Sequence, residues 1–202
     1  MIAVIDYDAG NIKSVENAVR FLGHDVKVTS DSSEILAADH IILPGVGAFG
    51  DAMKRLRAAG LEDTIRQAVS SEIPFLGICL GLQLIFEESE ESPGVKGLAL
   101  LPGKIKRIPE GEGRKVPQIG WNDLSFPRQS LLFAGIPEGS YVYFVHSYYL
   151  EAGCPEDVAA RTEYGVSIDA AVEHGRLFAC QFHPEKSERI GMQILQNFLN
   201  IS

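Results

Sequence analysis

A cysteine between two glycines is the residue of this sequence best placed for nucleophilic chemistry. The string GICLG at residues 77–81 follows an apolar run and precedes amphipathic sequence, which is the strand–turn–helix context of a nucleophile elbow centred on Cys79. Gly77 and Gly81 leave room where a Cβ would clash in so sharp a turn. A helix N-terminus favours the thiolate, and the Leu80 N–H is placed to bind an oxyanion. A buried structural cysteine is the alternative that this pattern alone leaves open.

A nucleophilic cysteine needs a base and a group that orients the base. His183 is the best placed of the five histidines, because it follows the apolar run Leu177–Cys180 and active sites gather at strand ends. Pro184 favours extended backbone at His183, and two residues on, Glu185 points to the same side of an extended segment. His146, at the end of an aromatic run, is the rival base, and an ordinary loop histidine is the alternative for His183.

The segment Pro44–Gly47 is a second glycine-rich turn after an apolar run. Its two glycines let the backbone approach a ligand closely and let a peptide N–H turn toward it. The segment lacks the Lys and Ser/Thr of a P-loop and the full G-x-G-x-x-G spacing, which disfavours a phosphate cradle. A second oxyanion donor is the better interpretation, and an ordinary strand-to-helix turn is the alternative.

The elements that must position these residues alternate in the first half of the chain. Apolar, β-branched runs predict strands at residues 2–5, 26–29, 41–43 and 75–78. Helical spacing predicts helices at residues 12–22, 49–56, 61–69 and 80–88. Pro44 and Gly45 are expected to stop the third strand, and Asp31 with Glu34 resembles a capping box that begins a short helix. This order predicts an α/β fold whose parallel sheet has helices on both faces.

The second half of the chain changes to short β-rich runs punctuated by glycine and proline. These runs lie at residues 105–108, 116–119, 141–145, 158–161 and 177–180. We expect antiparallel additions to the same sheet or a small side sheet, and a final helix over about residues 190–199. The acidic cluster at residues 87–91 is most simply a solvated helix end. Without a linker or repeat, residues 1–202 are expected to form one domain.

Composition excludes several classes of function. The 202 residues are 46% hydrophobic and 22% charged, as in an ordinary soluble chain that can bury a core. The net charge of −9 argues against a nucleic-acid binder and a polybasic membrane anchor. Three scattered cysteines without a C-x-x-C argue against a disulfide framework and a zinc site. With no signal peptide or apolar membrane span, we expect a cytoplasmic location.

The joint order of the motifs resembles the class I, triad-type glutamine amidotransferases over nearly the whole chain. The resemblance implies a three-layer, flavodoxin-like fold in which antiparallel strands extend the parallel sheet, and it implies neither a cofactor nor a metal. It also implies that Cys79 attacks the glutamine carbonyl, His183 moves the proton to the departing ammonia, and Glu185 orients His183. The implied oxyanion hole consists of Gly45, Val46 and Leu80. The implied glutamine contacts are Gly47, Gln83, Ser147 and Tyr148.

Further motifs narrow the resemblance within that family. The opening turn through Asn11, the string VPQIGWN at residues 116–122 and Lys186 after the HPE motif are similar to the glutaminase subunits of imidazole glycerol phosphate synthases. This implies a heterodimer with a cyclase subunit, a (β/α)₈ barrel that uses the ammonia to make imidazole glycerol phosphate and aminoimidazole carboxamide ribonucleotide in histidine biosynthesis. The residues implied to face that partner are Asn11, Trp121, Tyr143 and Lys186. Asp8 departs from the family pattern, in which a glycine is more usual.

Two alternatives remain open. The chain could serve another amidotransferase, such as anthranilate synthase, pyridoxal phosphate synthase or formylglycinamide ribonucleotide amidotransferase, with the same triad and a different partner. It could also be a stand-alone cysteine peptidase or γ-glutamyl hydrolase on the same fold. An intact Cys79, His183 and Glu185 in the family's chain order disfavours a catalytically silent interaction domain.

Overall fold

The computed structural model describes residues 1–8, 11–111 and 114–201. Within them the strands are β1 (Ile2–Ile5), β2 (Val26–Thr29), β3 (His40–Gly45), β4 (Phe75–Cys79), β5 (Glu88–Ser89), β6 (Gly103–Arg107), β7 (Gln118–Asp123), β8 (Tyr141–His146), β9 (Tyr148–Ala152), β10 (Val158–Glu163), β11 (Ser167–His174) and β12 (Leu177–Cys180). The helices of these same residues are α1 (Ile12–Phe21), α2 (Ser32–Leu36), α3 (Phe49–Ala58), α4 (Leu61–Ser70), α5 (Leu80–Ile85) and α6 (Glu188–Leu199).

A parallel core forms the centre of a seven-stranded sheet with the order β10-β11-β12-β4-β3-β1-β2. The strands β2, β1, β3 and β4 pair in parallel, as the alternating strand and helix signals predict. β12 also pairs in parallel with β4, so the expectation of an antiparallel or side-sheet strand at residues 177–180 is wrong, because the chain returns to the second edge of β4 and runs alongside it. Every residue of β1, β3, β4 and β12 is buried. Near-continuous apolar strands of this kind belong to a sheet that is covered on both faces.

Helices cover both faces of this sheet, which confirms the predicted three layers. Side chains alternate along β1, so Ile2 and Val4 join one apolar cluster while Ala3 and Ile5 join the other. The first cluster includes buried residues of α1 and α6, and the second includes those of α3, α4 and α5. The two faces therefore bury separate cores, and the strand ends between them remain free to carry a site.

The later strands other than β12 realise both arrangements left open by the sequence. The strands β10 and β11 add antiparallel to the β12 edge of the main sheet, while β5-β6-β9 and β7-β8 form separate small sheets. None of the β-rich runs in the sequence coincides with β5, β9 or β11, so these strands were not expected. The strand expected over residues 116–119 instead runs from Gln118 to Asp123. β11 contains small and charged residues among its apolar ones, which weakens its signal.

The predicted stop at Pro44-Gly45 is wrong, because β3 continues through both residues. β1 pairs with β3 as far as Ile42, and beyond that point β3 pairs with β4 alone, with Pro44 opposite Ile78. A proline is tolerated where one edge of the strand makes no ladder hydrogen bond. The strand therefore carries Gly45 to a position opposite Cys79.

The helix expected over residues 80–88 ends earlier, at Ile85. The Leu84 and Ile85 carbonyls accept hydrogen bonds from the N–H groups of Leu98 and Leu100, so a following segment ends the helix. The acidic cluster is consequently not a solvated helix end, because Glu88 and Ser89 form β5 against β6. Its last member, Glu91, accepts a hydrogen bond from the Phe49 N–H at the start of α3.

Two smaller expectations concern helix starts and membranes. Asp31 caps α2 through its carboxylate, which accepts from the Ser33 and Glu34 N–H groups, as predicted. Glu34 does not complete the capping box, because its carboxylate binds Lys27 and Thr29 instead. None of the helices in the described ranges has the length and apolar character needed to cross a membrane.

Candidate active site

Cys79 occupies a strained turn between β4 and α5. It is the last residue of the strand and the N-cap of the helix, with φ +55° and ψ −108°. A non-glycine residue at positive φ is uncommon and marks a position that the surrounding structure enforces. Cys79 is 7% exposed, so its sulfur is presented from a nearly buried turn. The predicted nucleophile-elbow geometry is therefore present.

Three glycines around this turn are required by close packing. A Cβ on Gly81 would lie 1.9 Å from the Leu43 carbonyl oxygen, and one on Gly77 would lie 2.8 Å from the Gly81 carbonyl oxygen. A Cβ on Gly45 would lie 2.8 Å from the Leu80 Cβ. Because α5 begins without any intervening loop, the backbones of β3, β4 and α5 approach each other directly and leave no space for side chains.

His183 and Glu185 form a buried pair at the end of β12. The His183 Nδ1 lies 2.8 Å from the Glu185 Oε1, and the two side chains are 2% and 1% exposed. His183 has the extended backbone predicted before a proline, but Glu185 belongs to a 3₁₀ turn that spans Pro184–Lys186. The contact is thus as predicted, whereas the turn and not an extended segment brings the carboxylate back to the ring.

The surroundings of His183 favour its protonated form. Burial by itself lowers the pKa of His183, but its interactions with Cys79 and with the Glu185 carboxylate outweigh burial and raise the pKa above its ordinary value. Since Nδ1 is held by Glu185, Nε2 is the nitrogen directed to Cys79. Nε2 is buried and has no hydrogen-bond partner among the described residues. The ring is therefore fixed, with one nitrogen available for proton transfer.

One cavity of about 420 Å³ brings most of the expected site together. The expected residues that line it are Cys79, His183, Val46, Leu80, Gly47, Gln83, Ser147, Tyr148 and Lys186. Gly45 lies behind this wall, opposite Cys79 in the sheet. A larger cavity of about 790 Å³ lies elsewhere, near Phe126 and Glu173, and neither a cysteine nor a histidine lines it. The smaller cavity is therefore the candidate active site.

The segment at Gly45–Gly47 forms the wall beside the sulfur. Gly47 has φ +100°, a conformation that favours glycine, and Val46 is 43% exposed although it is apolar. The buried Tyr7 hydroxyl donates to the Pro44 carbonyl at 3.0 Å. Burial, together with the nearby Cys79, raises the pKa of Tyr7, so the hydroxyl stays a donor. This bond ties the opening turn of the chain to the expected oxyanion segment.

Sequence reasoning missed two polar residues of the site. Glu91 lines the cavity although it was assigned to a solvated cluster, and no periodicity distinguishes it from its acidic neighbours. Gln181 is fully buried, and its Nε2 lies 3.7 Å from the Cys79 sulfur. A glutamine two residues before the predicted base, directly after a buried strand, was the available signal for it. His146, the rival base, also lines the cavity.

The residues expected to face a partner lie on different elements. Trp121 and Tyr143 are paired across β7 and β8, and their rings meet edge to face with centroids 6.1 Å apart. Trp121 is 47% exposed, so an apolar ring stands at the surface. Lys186 is exposed at the cavity, and Asn11 begins α1 with its side chain accepting from the Ser14 hydroxyl. Asp8 has φ +61°, which explains why a glycine is more usual there.

Comparisons with known proteins agree with this geometry. The class I glutamine amidotransferase family matches residues 3–201. The imidazole glycerol phosphate synthase subunit HisH of Moorella thermoacetica is 53% identical over 197 residues, which cover 98% of this chain and 93% of that protein. The subunit of the same name from Methanothermobacter thermautotrophicus is 52% identical over 201 residues, which cover 100% and 98%.

Solved structures show the same fold at lower identity. A crystal structure of a glutamine amidotransferase has a TM-score of 0.77 at 21% identity and covers 98% of this chain and 97% of its own. The structure of PurLQS from Thermotoga maritima has a TM-score of 0.72 at 21% identity, with coverage of 98% and 97%. The solved structures agree in fold, and the family match and the full-length relatives show that the chain belongs to the class I glutamine amidotransferase family, as a glutaminase subunit of the imidazole glycerol phosphate synthase type.

Proposed function

We propose that this cavity hydrolyses the carboxamide of glutamine through a thioester on Cys79, with His183 and Glu185 completing a catalytic triad. The observation that carries the proposal is that a strained Cys79 and His183 line one cavity, with the His183 ring held from behind by the buried Glu185. A cysteine next to a histidinium is an activated nucleophile, and a carboxylate on the far nitrogen fixes the orientation of the ring.

The first half of the reaction forms the thioester. The Cys79 thiolate attacks the side-chain carbonyl carbon of glutamine, and the electron pair of that carbonyl moves onto its oxygen. N–H groups at Leu80 and in the Gly45–Val46 segment stabilise the oxyanion. When the intermediate collapses, the C–N bond breaks and the His183 Nε2–H donates its proton to the leaving nitrogen, which departs as ammonia.

The second half releases glutamate. A water molecule loses a proton to the His183 Nε2, now neutral, and its oxygen attacks the thioester carbonyl carbon. The C–S bond then breaks and returns the electron pair to the Cys79 sulfur, so the thiolate and the histidinium are both restored. Glu185 keeps its hydrogen bond to Nδ1 throughout, which stabilises the histidinium and holds the ring in one tautomer.

Glu91 supplies a contact for the other end of the substrate. It is the acidic side chain among the residues that line the cavity. One of its carboxylate oxygens, Oε2, accepts from the Phe49 N–H at 2.7 Å, which fixes the side chain and leaves Oε1 for a ligand. A carboxylate so placed complements the α-ammonium group of glutamine. We assign Glu91 to substrate binding, together with Gly47, Gln83, Ser147 and Tyr148.

The ammonia is consumed on a partner subunit. The relatives from Moorella thermoacetica and Methanothermobacter thermautotrophicus are named as subunits of imidazole glycerol phosphate synthase. The expected partner of this chain is a (β/α)₈-barrel cyclase in a cytoplasmic heterodimer. The exposed Trp121, with Tyr143 behind it, and Lys186 on the cavity wall offer an apolar and a cationic contact for that subunit. Asn11 belongs to the same proposed surface.

The decisive experiment separates glutamine use from ammonia use. Cys79→Ala in the complex with the cyclase is expected to abolish glutamine-dependent synthesis and to leave ammonia-dependent synthesis intact, because the cyclase does not need the thiol. Cys154→Ala is the matched control, since Cys154 is a free cysteine outside the cavity. Glutamine-dependent synthesis by Cys79→Ala would refute the assignment of the nucleophile.

The stand-alone hydrolase predicts the opposite partner dependence. Such an enzyme would cleave peptides or γ-glutamyl conjugates at full rate without any second subunit. The corresponding assay compares glutamine, a dipeptide and a γ-glutamyl conjugate with and without the cyclase. A glutaminase subunit is expected to hydrolyse glutamine but neither the dipeptide nor the γ-glutamyl conjugate, and its rate of glutamine hydrolysis is expected to rise when the cyclase is added.

A further inference from the structure

The side-chain amide of Gln181 contacts the sulfur that carries out the attack. Gln181 follows β12 directly, is 0% exposed, and places its Nε2 3.7 Å from the Cys79 Sγ. Its backbone N–H donates to the Ala170 carbonyl of the neighbouring strand, which fixes the residue in the sheet. The end of β12 therefore delivers two groups to Cys79, an imidazole from His183 and an amide from Gln181.

The polarity of this amide is set by a chain of hydrogen bonds. The Tyr148 carbonyl oxygen can only accept, so the Gln83 group that faces it at 3.1 Å must be its NH₂. The second hydrogen of that NH₂ points to the Gln181 Oε1, also at 3.1 Å. With its oxygen committed to Gln83, Gln181 must direct its own NH₂ at Cys79. The sulfur therefore receives a donor and not an acceptor.

We propose that Gln181 is a catalytic residue of the glutaminase reaction, a fixed amide donor that stabilises the Cys79 thiolate and orients it for attack. This inference rests on the proposed triad. A hydrogen bond to the charged form of a group favours that form, and burial strengthens the interaction. The same N–H faces the sulfur when the thioester breaks and negative charge returns to it, so Gln181 assists both halves of the reaction.

The titratable groups around the sulfur make a neutral donor useful. They are His183, with Glu185 behind it, Tyr7, Cys180 and His146, all of which interact electrostatically with Cys79 or with His183. Burial lowers the pKa of His146 to about 4, so that ring is neutral. Burial and Cys79 raise the pKa of Tyr7, and burial followed by Glu185 and Cys79 raises the pKa of Cys180. Both stay neutral, so His183 is the cation among these groups. The Gln181 donor keeps its hydrogen whatever the protonation state of His183.

The same chain of bonds limits what Gln83 can offer a substrate. Both hydrogens of its amide are used, one by Tyr148 and one by Gln181. The free group of Gln83 is its Oε1, an acceptor, and Gln83 lines the cavity. Gln83 therefore accepts from a donor on the substrate, an ammonium or an amide N–H. Gln181 acts on the sulfur, whereas Gln83 acts on the substrate.

The test compares three glutamine-to-methionine variants of the full chain. Methionine keeps the length of the side chain and removes the amide. Gln181→Met removes the donor to Cys79, Gln83→Met removes a substrate contact, and Gln67→Met alters an exposed position on α4 as the control. The first measurement is the rate of alkylation of Cys79 by iodoacetamide against pH, followed peptide by peptide by mass spectrometry so that Cys154 does not contribute. Glutaminase kcat and KM are measured on the complex with the cyclase.

Gln181→Met is expected to shift the alkylation profile of Cys79 alkaline by about one pH unit and to lower kcat roughly tenfold with little change in KM. Gln83→Met is expected to raise KM and, because it removes the donor that holds the Gln181 Oε1, to shift the alkylation profile in the same direction but by less than Gln181→Met does. Gln67→Met should leave both the profile and KM unchanged. A folded Gln181→Met with an unshifted profile would overturn the proposal. If that variant does not fold, Gln181→Asn withdraws the amide by one methylene and must show the same alkaline shift.

A failure of this inference can be distinguished from a failure of the proposed triad. The alkylation profile reports the charge on Cys79 without requiring turnover, so an unshifted profile contradicts the role of Gln181 alone. Glutamine-dependent synthesis by Cys79→Ala would instead contradict the proposed function, whatever Gln181→Met does.

Discussion

The ends of β8 and β12 each carry a buried histidine to the same cavity, with opposite chemical results. His146 closes β8 and is 6% exposed, and His183 follows β12 and is 1% exposed. Both line the cavity, and each ring is fixed by hydrogen bonds at Nδ1. Burial alone therefore does not distinguish a general base from a structural histidine in this protein.

The charge of the hydrogen-bond partner makes the difference. The His183 Nδ1 faces the Glu185 carboxylate, which stabilises a histidinium, and the pKa of His183 is raised. The His146 Nδ1 faces the neutral Tyr148 carbonyl and its Nε2 faces the amide of Gln118. Burial, which the hydrogen bond to the Tyr148 carbonyl offsets only in part and the nearby His183 reinforces, lowers the pKa of His146 to about 4. A neutral His146 whose Nδ1–H donates to the Tyr148 carbonyl is a structural group.

Replacing each histidine separately by glutamine gives the largest expected difference in glutaminase activity. His183→Gln is expected to reduce glutaminase kcat/KM by about 10³-fold, because both proton transfers lose their carrier. His146→Gln can retain a hydrogen bond at each end and is expected to lose less than about tenfold. The measurement is steady-state glutaminase activity of each complex with the cyclase. Equal losses in the two variants would mean that His183 and His146 do not differ in catalytic role.

The sequence predicted those parts of the site that depend on local chemistry. Glycines on both sides of Cys79 predict a tight turn, because the turn leaves no space for a Cβ at those two positions. Pro184 predicts the extended backbone of His183. The structure agrees with both. The Pro44-Gly45 stop failed because the tolerance of β3 for a proline depends on where β1 ends, which is a property of the sheet.

The parts that could not be predicted depend on contacts between distant segments. Gln181 and Cys79 are 102 positions apart in the chain, and they come into contact only because β12 pairs with β4. Glu91 reaches the cavity because residues 97–100 end α5 early and turn the acidic segment back toward α3. No spacing within the sequence encodes these approaches, since the sheet order brings them about.

The depressed pKa of His146 makes a prediction about stability. As pH falls below about 6.5, the unfolded chain takes up a proton at His146, whereas the folded chain does so only near pH 4. The free energy of unfolding should therefore keep the whole His146 contribution above pH 6.5 and should fall by about 3 kcal/mol as the pH is lowered from 6.5 to about 4. Urea unfolding at neutral and acidic pH measures the loss.

His146→Gln supplies the control for this stability prediction. The pKa of His40 is also lowered by burial, so part of the acid loss belongs to His40 and must be subtracted. The difference between the parent chain and His146→Gln isolates the His146 share, and the variant should show the flatter profile. Identical pH profiles would mean that His146 is not held neutral by the fold.

Replacing the charged partner tests the comparison from the His183 side. Glu185→Gln retains a group that can hydrogen-bond to Nδ1 but removes the negative charge, so the pKa of His183 should fall toward that of a buried neutral ring. We expect kcat to decrease roughly 30-fold, about 2 kcal/mol. The protonation state of His183, followed by NMR of the imidazole against pH, must change in the same variant. An unchanged titration of His183 would show that Cys79 alone determines its charge.

The smallest expected effect concerns Lys186. This lysine lies in the turn that follows His183, and no lysine follows His146 at the end of β8. Lys186 is exposed beside the cavity, where a cation can meet an acceptor on the cyclase without being buried in this chain. Because one rim charge contributes about 1 kcal/mol, Lys186→Ala should weaken binding of the cyclase about fivefold. Titration of the cyclase into the subunit at low and high salt measures this loss, which added salt should diminish. Lys54→Ala, on the exposed face of α3, is the matched control. Equal losses from both variants would mean that net charge, and not the position of Lys186, governs docking.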